Sequence, residues 1–219
     1  MEKYIPLLKK TQLFAGVGEE EIRAMLGCLG ARLVSYRKGA YLLRQGEHID
    51  EMLILAEGAL HVQQDDYWGN RSILTSISAG EMFGEAYAAP GSSPLLNDVV
   101  AVEDSTVFFF NVQKMLTTCS SACRFHAMVV QNLFFAISAK NRKLVQKIEH
   151  ISKRSTREKL ISYLSEEARK HSSSHFTIPF NRQQLADFLS VDRSAMSAEL
   201  GKMRAEGLLE FERNWFQLR

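Results

Sequence analysis

Three side chains able to read the edge of a base fall within one short stretch near the end of this 219-residue chain: Arg193, Ser194 and Ser197. Around them Met196, Leu200 and Met203 recur at i, i+4 and i+7, the apolar stripe of a helix, so the three polar residues project from its first turns on the other side. A guanidinium offers two parallel donors that match O6 and N7 of guanine, and such a bidentate contact discriminates by about 1–3 kcal/mol. Asp192 can cap this helix and Gly207 can end it. Upstream, Asn181 stands three residues before Gln184 in a capping-box arrangement, with Leu185, Phe188 and Leu189 as an inward face and Ala186 allowing close helix approach. Ser190-Val191 makes the turn between them. Two helices so joined form a helix-turn-helix, whose second helix enters the major groove. Asn181, Arg182 and Gln183, at the start of the first helix, are placed to hold phosphates, and Lys202 adds a cation further along the second. Beyond Gly207, the residues Leu209, Phe211, Phe216 and Leu218 flank an Arg213-Asn214 turn, the hairpin of a wing. The alternative is a winged helix that contacts protein, with Arg193 as a surface charge.

The elements that must position this motif read as follows. A short helix spans Glu19 to Leu29. From Arg32 to Val112, glycines at 39, 46, 58, 69, 80, 84 and 91 punctuate β-rich runs such as Tyr41-Leu42-Leu43, Met52 to Leu55, Leu60-His61-Val62 and Val107 to Phe110, which predicts an all-β sandwich or barrel. From about Ser120 glycine is absent until Gly201, and one long helix is expected. Within it Val130, Phe134, Ile137, Asn141, Leu144, Ile148 and Ile151 alternate in steps of four and three, the a/d spacing of a coiled coil, and Asn141 can pin its register. This predicts a homodimer seam; the alternative is a helix packed on its own domain. After a break at Ser152 to Ser155, a second helix runs from Thr156 to Lys170 with Leu160, Ile161, Tyr163 and Leu164 as its apolar stripe. Ser172-Ser173-Ser174 forms a loop, and Phe176 to Pro179 reads as a strand.

Composition narrows the class. With 46% hydrophobic and 24% charged residues and a net charge of +2, the chain is an ordinary globular protein. No apolar run approaches a membrane span and the N-terminus lacks a signal-peptide pattern, so a cytoplasmic protein without membrane contact is expected. Residues 152–219 carry 12 Lys+Arg against 9 Asp+Glu, +3, which leaves −1 for the rest. The three cysteines, Cys28, Cys119 and Cys123, make no disulfide framework and no zinc pattern. They read as reduced thiols, with a redox or metal role for Cys119 and Cys123, i and i+4 on one helix face, as the alternative. No metal site is expected, the six histidines are scattered, and neither a nucleophile elbow nor a phosphate loop is present, so no catalytic role is expected.

Taken together, Leu13-Phe14 before Gly16, Tyr36-Arg37-Lys38-Gly39, Arg44-Gln45-Gly46-Glu47, Ile54-Leu55 with Gly58, Gly80-Glu81-Met82-Phe83-Gly84-Glu85 and the stretch from Arg193 to Gly207 follow one another in a specific order. In that order and spacing the whole chain resembles the Crp/Fnr family of transcription regulators. The resemblance implies an α+β fold: a double-stranded β-helix of the cyclic-nucleotide-binding type over 1–118, a dimerisation helix over 119–152 and a winged helix-turn-helix over 153–219. It implies a homodimer on a palindromic site in double-stranded DNA, a small effector, and RNA polymerase as a further partner if the protein activates. In members that bind cyclic nucleotides, a Gly-Glu pair and a downstream Arg-Ser pair grip sugar and phosphate. Gly84 and Glu85 match the first. At the second this chain reads Leu95-Leu96-Asn97-Asp98, and residues 72–113 contain no Lys or Arg beside Glu81, Glu85, Asp98, Glu103 and Asp104. A buried phosphate without a charge-assisted partner is poorly compensated. Gly84, Glu85, Leu96 and Asn97 therefore outline a pocket for an effector other than cyclic AMP, whose identity and any cofactor stay unknown. The family's iron-sulfur branch, which needs four thiolates, fits three cysteines badly.

Overall fold

The glycine-punctuated region folds into strands β1 (Arg32–Tyr36), β2 (Tyr41–Leu43), β3 (Glu51–Glu57), β4 (Ala59–Asp65), β5 (Arg71–Ser78), β6 (Met82–Phe83), β7 (Asp98–Ala101) and β8 (Ser105–Asn111). The computed structural model describes residues 1–65, 67–68, 71–117 and 124–219, with the backbone alone at 65, 71 and 124; Cys119 and Cys123 lie outside the described residues. The strands form two antiparallel four-stranded sheets, ordered β1-β8-β3-β6 and β2-β7-β4-β5. This is the β roll expected from the sequence.

Strand pairing explains why β3 and β8 read as unbroken apolar runs. Leu53 faces Phe109 and Ile54 faces Phe108 across the ladder, and successive side chains point to opposite faces. Leu53, Leu55, Val107 and Phe109 therefore enter the roll interior with Leu43, Leu60, Ile77, Leu95 and Val99. Met52, Ile54, Phe108 and Phe110 join a second core on the outer face. That outer core is closed by α1 (Ile5–Lys10), by α2 (Glu19–Cys28), which the sequence placed one residue longer, and by the first half of α4 (Arg124–Ile151); α3 (Val112–Leu116) follows β8 directly. Val129, Leu133 and Ala136 of α4 are buried, and the Asn132 amide donates to the carbonyls of Leu13 (3.0 Å) and Ala15 (2.9 Å).

The chain divides into compact units at 1–138 and 139–219, so the boundary falls inside α4. The second unit contains the end of α4, then α5 (Thr156–His171), β9 (His175–Thr177), α6 (Arg182–Leu189), α7 (Arg193–Ala205), β10 (Leu209–Glu212) and β11 (Trp215–Leu218), with sheet order β10-β11-β9. Its core holds Leu160, Tyr163 and Leu164 of α5, Leu185 and Leu189 of α6 and Met196, Leu200 and Met203 of α7. Ile161 does not belong to it. It is 44% exposed, because with Leu160 and Leu164 fixing the buried stripe at i and i+4, the intervening i+1 position turns outward. The strand expected over Phe176 to Pro179 ends at Thr177, although the Ile178 N–H still bonds the Asn214 carbonyl at 2.9 Å. Among the described residues no helix is long and apolar enough to cross a membrane.

Gly58, which joins β3 to β4, has φ +98°, and a Cβ there would lie 2.6 Å from the Asp104 carbonyl oxygen and 2.7 Å from the Ser105 Cα. Both contacts are with backbone and cannot yield by a side-chain rotation. Gly58→Ala is expected to destabilise the roll by about 1–3 kcal/mol, read by chemical denaturation followed through the first unit's circular dichroism.

Candidate functional site

Local capping fixes both helices of the C-terminal motif. The Asn181 Oδ1 accepts the Gln184 N–H at 2.9 Å while the Gln184 side chain accepts the Asn181 N–H at 2.9 Å, the capping box read from the sequence. Asp192 caps α7 by accepting the Ala195 N–H at 2.8 Å, and the Ser194 hydroxyl donates to the same oxygen at 2.5 Å. The Ser194 hydroxyl and the Ala195 N–H together hold the Asp192 carboxyl below its usual range. Between the helices stand Ser190, with left-handed backbone at φ 51°, and Val191.

With Met196, Leu200 and Met203 buried, Arg193, Ser194, Ser197 and Lys202 are exposed on α7. Their donors are not equivalent. The Ser197 hydroxyl donates to the Arg193 carbonyl at 2.9 Å and that of Ser194 is spent on Asp192, so of these three residues at the start of α7 it is the Arg193 guanidinium whose donors are not engaged among the described residues. Lys202 sits 4.0 Å from Glu199 with its side chain 70% exposed.

The start of α6 behaves differently from a row of three equal phosphate ligands. Asn181 and Gln183 are exposed, Gln183 bonding Asp187 at 2.8 Å. Arg182 is half-buried, its guanidinium 4.8 Å from the Phe211 ring and 5.1 Å from the Phe216 ring of the wing, and burial pulls its pKa down. Arg182 thus fastens α6 to the wing through its charge and plane. The alternation of Phe211 and Phe216 around the wing turn was the available signal, but nothing in the spacing tied it to Arg182.

A buried polar network in the same unit escaped the sequence reading. His150, on the last turn of α4, bonds Ser162 at 2.8 Å and Glu166 at 2.8 Å, while Lys170 pairs with Glu166 at 2.7 Å and Glu167 at 2.8 Å. Burial would raise the Glu166 carboxyl, but Lys170 and His150 outweigh it and hold it below its ordinary value. These residues fix the end of α4 on α5. No sequence pattern marked the network, since its five members come from two helices and carry no motif.

In the roll, Gly84 adopts φ +80°, and a Cβ there would meet Leu53 Cδ1 at 3.0 Å, so the close approach needs glycine. Glu85 and Asn97 are half-buried, whereas Leu96 is 59% exposed. Leu95 instead enters the interior, 5% exposed, and its backbone is clasped by the turn at 44–47: Gly46 N–H bonds the Leu95 carbonyl, and Leu95 N–H bonds that of Glu47, both at 2.8 Å. The Asp98 carboxylate accepts from the Gln45 N–H at 2.8 Å. In the stretch 95–98, where the resemblance would place an Arg-Ser pair, the residue that enters the roll interior is thus the apolar Leu95. Among the described residues no group of three or more His, Cys, Asp or Glu side chains is arranged to hold a metal ion.

On α4 the seam residues Phe134, Ile137, Leu144 and Ile148 are 42–66% exposed, Val130 is half-buried and Asn141 is exposed, with Phe135 and Val145 beside them at 50% and 57%.

Comparison with known proteins matches two family models, a cyclic nucleotide-binding domain over residues 33–122 and a Crp-like helix-turn-helix domain over residues 158–219. The chain is 33% identical over 78 residues to human cGMP-dependent protein kinase 2; that match takes in 36% of this chain and only 9% of the kinase. Among solved structures, the catabolite activator protein of Thermus thermophilus superposes with a TM-score of 0.56 at 21% identity, covering 95% of this chain and 94% of that one. CprK in complex with OCPA gives 0.63 at 16% identity, covering 91% and 89%. At these identities the structural likeness is one of fold. With a cyclic nucleotide-binding β roll, the long helix α4 and a Crp-like helix-turn-helix in that order, the chain belongs to the Crp/Fnr family of transcription regulators.

Proposed function

We propose that this protein is a cytoplasmic, sequence-specific transcription regulator that binds a palindromic site in double-stranded DNA as a homodimer. The observation that carries this reading is Arg193, exposed on the first turn of a capped helix whose opposite face is buried, with its neighbouring hydroxyls already occupied. In this reading Arg193 pairs with a guanine, Ser194 and Ser197 offer lone pairs to adjacent base edges, and Asn181, Gln183, Lys202 and the helix N-termini hold phosphates. RNA polymerase joins as a partner if the regulator activates. Arg193→Ala is expected to cost about 1–3 kcal/mol on the cognate site and to relax sequence preference at one base pair, measured by gel shift on the upstream region and its single-base variants. A dimer that binds no DNA under any of these conditions would favour the other reading, a ligand-binding signalling protein whose winged helix contacts protein.

The homodimer reading rests on the exposed stripe of α4. Large apolar side chains spaced four and three apart, exposed on a helix whose other stripe is buried, form a patch of the kind that marks an interface. Replacing Leu144 and Ile148 together by Glu should give a folded monomer in sedimentation, because both positions are solvent-facing within the chain itself.

For the effector, buried Leu95 and the lack of any Lys or Arg over 72–113 support a ligand other than cyclic AMP. In this reading Gly84, Glu85 and Asn97 would face a sugar-like or polar group. Calorimetric titration with cyclic AMP should show no saturable heat in the wild-type chain; micromolar binding would overturn this part of the reading.

A further inference from the structure

We propose that Lys159, assisted by Arg157, is a positioning residue that aims the recognition helix, an inference that rests on the DNA-binding reading of α7. The Lys159 ammonium donates to the carbonyls of both Leu189 (3.2 Å) and Ser190 (3.3 Å). Those are the last carbonyls of α6, which have no partner within their own helix and carry the negative end of its dipole. Ser190 is also one of three described non-glycine residues with positive φ, at 51°, a conformation that persists only where the surroundings impose it. Two residues, Ser190 and Val191, separate the end of α6 from the Asp192 cap of α7. The φ and ψ of that turn therefore set the direction in which Arg193 leaves the domain.

The second hold is on α7 itself. Arg157 Nε lies 3.7 Å from the Glu199 carboxylate in the middle of α7, and its Nη2 pairs with Glu206 at the helix's C-cap. From the first turn of α5, one cation thus grips the turn before the recognition helix and another grips the helix along its length. An ordinary surface ion pair contributes little and would not bridge two carbonyls of a strained cap. Lys159 is also half-buried, which sets it apart from a lysine reaching into solvent for phosphate.

The test uses the full-length chain and a duplex selected by the wild type from a random pool, with a scrambled duplex as control, each titrated at two salt concentrations. Lys159→Met should lower the selected-to-scrambled affinity ratio by roughly tenfold, the order of one misplaced base contact, while scrambled binding and its salt dependence stay unchanged. Lys159→Arg, which can still donate to both carbonyls, should retain most of the ratio. Ser190→Gly in the Lys159→Met background should restore part of it, since glycine holds the left-handed turn without help. Equal losses on both duplexes, with a salt slope reduced by about one, would make Lys159 a phosphate contact and overturn the proposal. Amide hydrogen exchange of the DNA-free protein provides an independent measurement: Lys159→Met should speed exchange at 190–195 and leave the wing unchanged. Unchanged exchange there overturns the positioning role even if the selected-to-scrambled ratio falls, and an unchanged ratio overturns it as well. If the wild type selects no duplex, the DNA-binding reading fails, and faster exchange at 190–195 still shows that Lys159 holds the turn.

Discussion

Helix α4 has to satisfy two apolar demands with one cylinder, and the arrangement of the protein follows from how it divides them. Val129 and Leu133 are taken up by the outer core of the roll, where they lie with Phe14, Phe108 and Phe110, and Ala136 on the same stripe is buried. The stripe rotated by about one residue, from half-buried Val130 through Phe134 and Ile137 past Asn141 to Leu144 and Ile148, is largely exposed among the described residues. A helix that is apolar on two stripes is stable in water only if both are buried. The first stripe anchors the helix to the β roll; the second is the face that the homodimer proposed above would bury against a symmetry-related copy.

Much of this was legible because it depends on local rules. The capping box at Asn181 and Gln184, the Asp192 cap, the buried stripe of Met196, Leu200 and Met203, and the wing across Arg213-Asn214 are each fixed by residues within a few positions of one another. The β roll was legible as a class from its glycines and its apolar runs. Which face each strand residue takes was not, since β3 and β8 are buried on both sides and show no alternation to read. Ile161 was misplaced for a related reason: a run of apolar residues in a helix says which residues are apolar, not which of two adjacent stripes meets the core.

What stayed hidden is the long-range polar chemistry. Arg182 over Phe211 and Phe216, His150 against Glu166 and Lys159 on the carbonyls of Leu189 and Ser190 join residues 16 to 34 positions apart through groups that any surface helix also carries. Charge type alone cannot separate a half-buried arginine from a phosphate ligand. Burial and ring contacts separate them better, because a half-buried guanidinium lying over two neighbouring rings is already engaged within the domain.

The roll makes the converse point, that a retained motif need not retain its chemistry. Gly84 suits its place because its backbone is left-handed at φ +80° and the Leu53 and Ile49 side chains crowd the position of a Cβ, reasons of conformation and packing independent of any ligand. Leu95 is held by two backbone bonds to the turn at 44–47 and by the apolar interior around it. Placing an arginine at 95 would put a charge among Leu43, Leu53, Leu60 and Val99, an apolar setting that penalises an uncompensated cation. The turn, the leucine and the core around it form a consistent set, in which each local choice agrees with the apolar interior.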